Sequence, residues 1–388
     1  MLSVLPTSNN DVASAAPSQD GEPIDPFDPH NLERFLNTAP DLREFSLLNC
    51  DIPFPRLATA CGAHVTRLEG TTVGFSPNTN FYRLLAHCPH ARIISLAAKL
   101  PRLDLIPGRD SLEVLTVIVS QFTPADFTPL VLFSNLNTLS ISTYDHDFAF
   151  LSHPALSSLC SLDIQAQGNS GVTDVGFRHI CHLTRLRRLR LYNLQHVTDE
   201  GFALIEALVE LEALEIGSLS LVSAQGLRVM VRLSKLSNIK IFGADVLDDA
   251  VLAGLDGERL ECLQLGYPRV SAEAWEAFAK RCVRIKSLLF LTGEGLGERF
   301  FRTLNRTAFR LEEPSVGGLN EGVMEACRDL KFFRENMAIV EKRVHWKKFN
   351  FMKILTRYTP NGFYKRTPST SHKELPKGEG DYAMTTRA

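Results

Sequence analysis

"RLRRLRLYNLQHVTDEGF", residues 185–202, carries two different periodicities in eighteen positions. Leu189 and Leu191 stand two apart, so they share one face of a short strand, and Arg190 between them takes the other. Leu186 sets the spacing Leu-x-x-Leu-x-Leu. Val197 and Thr198 then place an apolar residue beside a good helix N-cap. Phe202, Leu204, Ile205 and Leu208 follow at helical spacing. The stretch therefore predicts a strand, a link and a helix. One such unit cannot bury its own apolar face, so it needs copies of itself.

The copies are present. First positions of the pattern fall at Leu42, Val65, Ala91, Leu112, Leu136, Leu159, Leu186, Leu211, Leu236, Leu260 and Ile285, at steps of 21 to 27 residues. Weaker copies begin at Val65, near Ala308 and at Leu330. N-cap candidates recur beyond the strands at Thr173, Thr198, Ser223, Asp248 and Ser271. A fixed period in the twenties with this pattern is the leucine-rich-repeat signature. The expected fold is an α/β leucine-rich-repeat solenoid of eleven to thirteen repeats. It would be a right-handed horseshoe, with parallel strands on the concave face and helices on the convex face. Its expected extent is residues 29–338, after a disordered N-terminus at 1–28.

Cysteines add a second regularity. Cys61, Cys88, Cys181, Cys282 and Cys327 each precede a strand, and Cys50 closes "LREFSLLNC". With the Val-Thr-Asp-x-Gly turn, this spacing resembles the cysteine-containing repeats of F-box/leucine-rich-repeat proteins, over roughly residues 30–335. That resemblance implies a substrate-recognition subunit of a cullin-RING ubiquitin ligase, with a ligase adaptor among its partners. No F-box-like Leu-Pro…Leu…Ile pattern is found in the polar segment 8–35.

Bulk properties suit a soluble intracellular protein. The chain has 388 residues, 44% of them hydrophobic, with a net charge of −2 and a pI near 6.6. It has no apolar run of about 20 residues and no basic, apolar start of the secretory kind. The eight cysteines include no CxxC pair, which points to free thiols in a reducing compartment, cytoplasmic or nuclear. A near-neutral chain gives no argument for nucleic acid, and a monomer is expected.

The position between the last two core residues of each strand faces the open side. Through consecutive repeats it reads Asp163, Arg190, Glu215, Lys240 and Gln264, with alternating sign. One reading is a solvated charge ladder that sets repeat register. The other is a protein-binding surface formed by Arg187, Arg188, Arg190, Tyr192, Glu215, Lys240, Phe242 and Tyr267, since arginine and tyrosine are enriched in binding hot spots. The two can coexist. Upstream the same face is rich in Ser and Thr.

Candidate chemistry is thin. "HCPH" (87–90) and "HICH" (179–182) lack convergent zinc spacing, and their cysteines sit at core positions. "YDHD" (144–147) reads as a polar turn. "GEGLGE" (293–298) falls at a strand-to-helix turn and lacks the P-loop lysine. The chain reads as a non-enzyme with no cofactor and no metal. The C-terminal end differs. From Glu341 to Ala388 eleven Lys/Arg stand against four Asp/Glu. Residues 339–358 mix Trp346, Lys347, Lys348, Phe349 and Lys353 in an expected amphipathic helix. It would either cap the solenoid or contact a membrane surface or a partner. Residues 359–388 read as a disordered tail. The alternative to a recognition module is thus a scaffold tethered through this helix.

Overall fold

The computed structural model describes residues 2–4, 44–48 and 65–330, the last range with gaps at 72–87, 99–102, 107–108, 120–123, 144–146, 167–170, 244–246, 292–294, 309–310, 312, 317–320 and 328. The chain divides into two units, Met1–Asn336 and Met337–Ala388. The second lies outside the described residues.

The first unit is built on one parallel sheet whose strand order is the chain order. Its strands are β1 (Leu2–Val4), β2 (Glu44–Leu48), β3 (Arg67–Thr71), β4 (Ile93–Ala98), β5 (Val114–Val119), β6 (Thr138–Thr143), β7 (Ser161–Ala166), β8 (Arg188–Tyr192), β9 (Ala213–Gly217), β10 (Asn238–Phe242), β11 (Cys262–Leu265), β12 (Ser287–Phe290) and β13 (Glu313–Val316). The first and last strands do not meet, so the sheet is open. This is the α/β leucine-rich-repeat solenoid that the spacing predicts.

Register follows from the leucines. Leu162, Leu189, Leu214, Ile239, Leu263 and Leu288 are mutual partners along the sheet. Each keeps 2% or less of its surface in contact with water. Burying one such side chain contributes about 1.5–3 kcal/mol, and the stack repeats that gain at every rung. Aromatic residues fill the space between rungs: Phe177 stacks on Phe202 at 5.8 Å. Trp275, fully buried, meets Phe290 at 4.9 Å and Phe300 at 5.6 Å, both edge-on.

Two rungs depart from the sequence reading. β1 lies inside the stretch expected to be disordered; Leu2, Ser3 and Val4 pair in register with Phe45, Ser46 and Leu47. Its own alternation suits the edge it joins, and a parallel partner satisfies β2's outer backbone groups. The last strand is anchored from Leu311 rather than Ala308, because Pro314 and Val316 align with Leu288 and Phe290.

Helices are confined to the second half of the described residues. They are α1 (Asp174–Cys181), α2 (Asp199–Ala203), α3 (Ala224–Leu227), α4 (Asp249–Gly254), α5 (Ala272–Arg281), α6 (Glu298–Thr307) and α7 (Glu321–Ala326). Upstream repeats use 3-10 turns, as at Pro124–Leu132 and Pro154–Leu156. Pro129, inside the first of these, removes a donor that an α-helix needs. The N-caps are those the spacing predicts: Thr173, Thr198, Ser223, Asp248 and Ser271 each accept a backbone N–H from three residues on.

The recurring Thr-Asp-x-Gly has a further cause. Thr198 donates both its N–H and its hydroxyl to the Asp174 carboxylate, each at 2.8 Å. Ser223 does the same to Asp199 at 2.7 and 2.6 Å, and Ser271 to Asp249 at 2.7 and 2.6 Å. The first acid of one helix thus fixes the cap of the next. A Cβ at Gly201 would lie 1.8 Å from the Asp174 carboxylate, which explains the glycine. One rung breaks the chain: Ala224 replaces the acid, and the next cap is Asp248, which has no hydroxyl to donate. Arg228 stands 3.5 Å from Asp248 there instead.

Candidate functional site

Strand pairing places Ser95, Thr116, Ser140, Asp163, Arg190, Glu215, Lys240, Gln264 and Leu289 in one column of the exposed strand face. At its centre the charges pair. Arg190 Nη1 donates to Asp163 Oδ2 at 3.2 Å, and its Nε stands 3.2 Å from Glu215 Oε2. Lys240 Nζ is 3.4 Å from the same Glu215 oxygen. The Tyr192 hydroxyl donates to the other, Oε1. Gly217 makes this possible: a Cβ there would come within 3.0 Å of the Tyr192 ring.

These groups are substantially withdrawn from water; the four charged side chains retain 14–27% of their surface. Burial pushes the Asp163 carboxyl up to about 6, against the pull of Arg190. Among the described residues, buried Asp163 Oδ1 has no hydrogen-bond partner. Burial also pushes the Tyr192 phenol up, and the Glu215 charge adds to it. With both flanking acids engaged, Arg190 is one rung of a neutral ladder.

The other arginines differ. Arg187 is exposed at the strand edge, 3.9 Å from Glu212 Oε1. Arg188 is exposed on the strand face, where its register partners are Ser161 and Ala213. Among the described residues it has no ion pair.

The remaining expected contacts separate. Tyr267, just past β11, is 48% exposed, whereas Phe242 is only 6% exposed and faces no partner. Its neighbour in register on β9 is Gly217, which brings no side chain. Sequence reasoning missed Ile118, 55% exposed. Its signal was the alternation of Val114, Thr116 and Ile118 opposite the buried Leu115 and Val117. Trp346, Lys347, Lys348, Phe349 and Lys353 lie outside the described residues, as do Tyr144, Asp145 and His146.

Other groups with chemical potential have structural roles. Burial pushes the Cys181 and Cys282 thiols up to about 12, so neither is a ready thiolate. Ser152 Oγ lies 2.6 Å from His179 Nδ1 and 3.3 Å from His182 Nδ1. His179 Nε2 is 3.8 Å from Asp147 Oδ1, too far to orient the imidazole by a hydrogen bond. The cluster links two repeats. In "GEGLGE", Gly295 holds φ at +78° where a Cβ would strike the Val270 carbonyl, a tight repeat-to-repeat turn. Among the described residues no group of three or more His, Cys, Asp or Glu is placed to hold a metal ion. No helix among them is long and apolar enough to cross a membrane.

The fold and this face define a leucine-rich-repeat solenoid that presents an open strand surface. No family model and no curated protein matches the chain. Among solved structures it is similar to the crystal structure of the Rad7 and Elc1 complex in yeast. The identity is 19% and the TM-score 0.53, over 76% of this chain and 81% of that one. It is also similar to the TLR13–ssRNA13 complex, at 16% identity and a TM-score of 0.46. There it covers 73% of this chain, but only 48% of the other.

Proposed function

We propose that the chain is a non-catalytic protein-recognition module whose strand face selects a partner protein. The observation that carries this is the contrast within that face. The central ladder satisfies its own charges, yet Arg188, Ile118 and Tyr267 are left exposed around it. Arginine and tyrosine on such a face are what hot spots are made of, and a rigid sheet presents them without ordering cost. The solved neighbour Rad7 is itself bound to a protein, Elc1, which supports a protein partner. The finer reading, a substrate receptor of a cullin-RING ubiquitin ligase, draws on the cysteine-repeat resemblance.

Affinity purification with cross-linking tests both levels. The full chain is compared with Arg188→Ala/Ile118→Asp on the strand face and with Val175→Asp on the exposed surface of α1. The strand-face variant is expected to lose a specific protein that the α1 variant keeps. Equal recovery by both overturns the strand-face reading. Recovery of a cullin adaptor supports the ligase role; a partner without any adaptor refutes that role alone.

A further inference from the structure

We propose that the occupant of the strand face is an extended acidic segment of a partner protein. It would cross the strands with its carboxylates at Arg188 and apolar side chains toward both ends. The proposal rests on the protein-recognition reading and names the chemistry of the partner.

The first support is the contrast between two arginines two residues apart. Arg190 stands between Asp163 and Glu215 and is neutralised by them. Arg188 stands between Ser161 and Ala213, which carry no charge. Among the described residues it is the one cation of the strand face with no acid beside it in its column and no other partner. A guanidinium left this way accepts a carboxylate in a charge-assisted, two-pronged contact. Arg187 stands next to it, held only by a 3.9 Å approach to Glu212, and can turn to the same ligand. Tyr192 and Lys240 are committed to Glu215, so the anion's place is confined to the Arg188 side of the ladder.

The second support is apolar. Ile118, 55% exposed, lies on β5; Tyr267, 48% exposed, follows β11. Six rungs separate those strands, and strands lie about 4.8 Å apart, so the two residues are on the order of 30 Å apart along the face. An extended chain of about nine residues covers that span at about 3.3 Å each. Arg188, on β8, is midway. Between Ile118 and Arg188 the face offers the uncharged Ser140, Ser161 and Gln165, and one acid, Asp163, which Arg190 engages. A nucleic-acid strand fits this layout poorly, because its phosphates call for several unopposed cations in a row.

Selection from random dodecapeptides displayed on phage, against the full chain, tests the proposal. Enriched peptides are expected to carry Asp or Glu near the middle, with apolar residues on both sides. Their retention is expected to fall at least about tenfold on Arg188→Glu and on Ile118→Asp, and to fall less on Arg188→Lys, which keeps the charge but loses the two-pronged contact. Arg188 is exposed and unpaired, so these variants are expected to melt like the parent, which circular dichroism checks. Enriched peptides without acid, lost on Ile118→Asp but indifferent to Arg188→Glu, overturn the acidic chemistry and leave the recognition reading standing. A chain that enriches no peptide, yet retains a single-stranded RNA oligonucleotide through Arg188, overturns both.

Discussion

Asp163 shows how a strand face can carry a cost in its own charge ladder. Its carboxyl is raised to about 6 from 3.8 because burial outweighs Arg190. A raised folded-state value means that the folded chain holds a proton the unfolded chain has released between those two pH values. Its stabilising effect is therefore fully present below about 4 and is lost as pH rises through about 6. Asp163→Asn cannot titrate. The stability of the parent relative to this variant is expected to improve as pH falls from 7 to 5, read by thermal melts at matched salt. A difference that does not change with pH would mean that the carboxyl is not raised. Gly201 is constrained more simply. Gly201→Ala forces a Cβ into the Asp174 carboxylate, and a loss of about 2–4 kcal/mol in urea unfolding is expected. Asp174→Ala removes the obstruction along with two hydrogen bonds. The double variant is therefore expected to cost less than the sum of the two.

At the scale of elements, the caps make a relay. Asp174, Asp199 and Asp249 each hold the next N-cap, and the relay lapses once, at Ala224 and Asp248. Restoring it is a direct check of its worth. Ala224→Asp alone sets two carboxylates against each other and is expected to destabilise. Asp248→Ser alone loses the Arg228 pair. Together they rebuild the bidentate contact, with a favourable coupling of about 1–2 kcal/mol expected in a double-mutant cycle. The strands and caps were legible in the sequence because each is set by its own few residues: two leucines two apart, or a Thr before an Asp. The relay was not, since it joins residues about 25 apart and only the stacked structure brings them together. Its trace, a Gly three residues after each cap that a relay Asp holds except the last, was open to view. Phe242, only 6% exposed, shows the same limit. Position on a strand gives the face, but not how far the stacked neighbours cover a ring on it.

For the repeat unit as a whole, contacts run between neighbours. Every strand pairs only with the one before and the one after, and the aromatic contacts likewise join adjacent repeats, as in Trp275 with Phe290 and Phe300. Stability in such an array is close to a sum of repeat and interface contributions, so damage stays local. Trp275→Ala empties a fully buried site, and a loss of about 3–5 kcal/mol is expected there. Hydrogen exchange followed by mass spectrometry is expected to show faster exchange in β11 to β13, α5 and α6. Exchange in β5 to β8, which carry Ile118 and Arg188, should stay at the parent's rate. Peptide retention on the strand face would then survive only in part, because the Tyr267 end loosens while the Arg188 centre holds. Uniform loss of protection across all strands would show instead that the sheet unfolds as one unit. The face would then be an all-or-none surface and not a row of separable contacts.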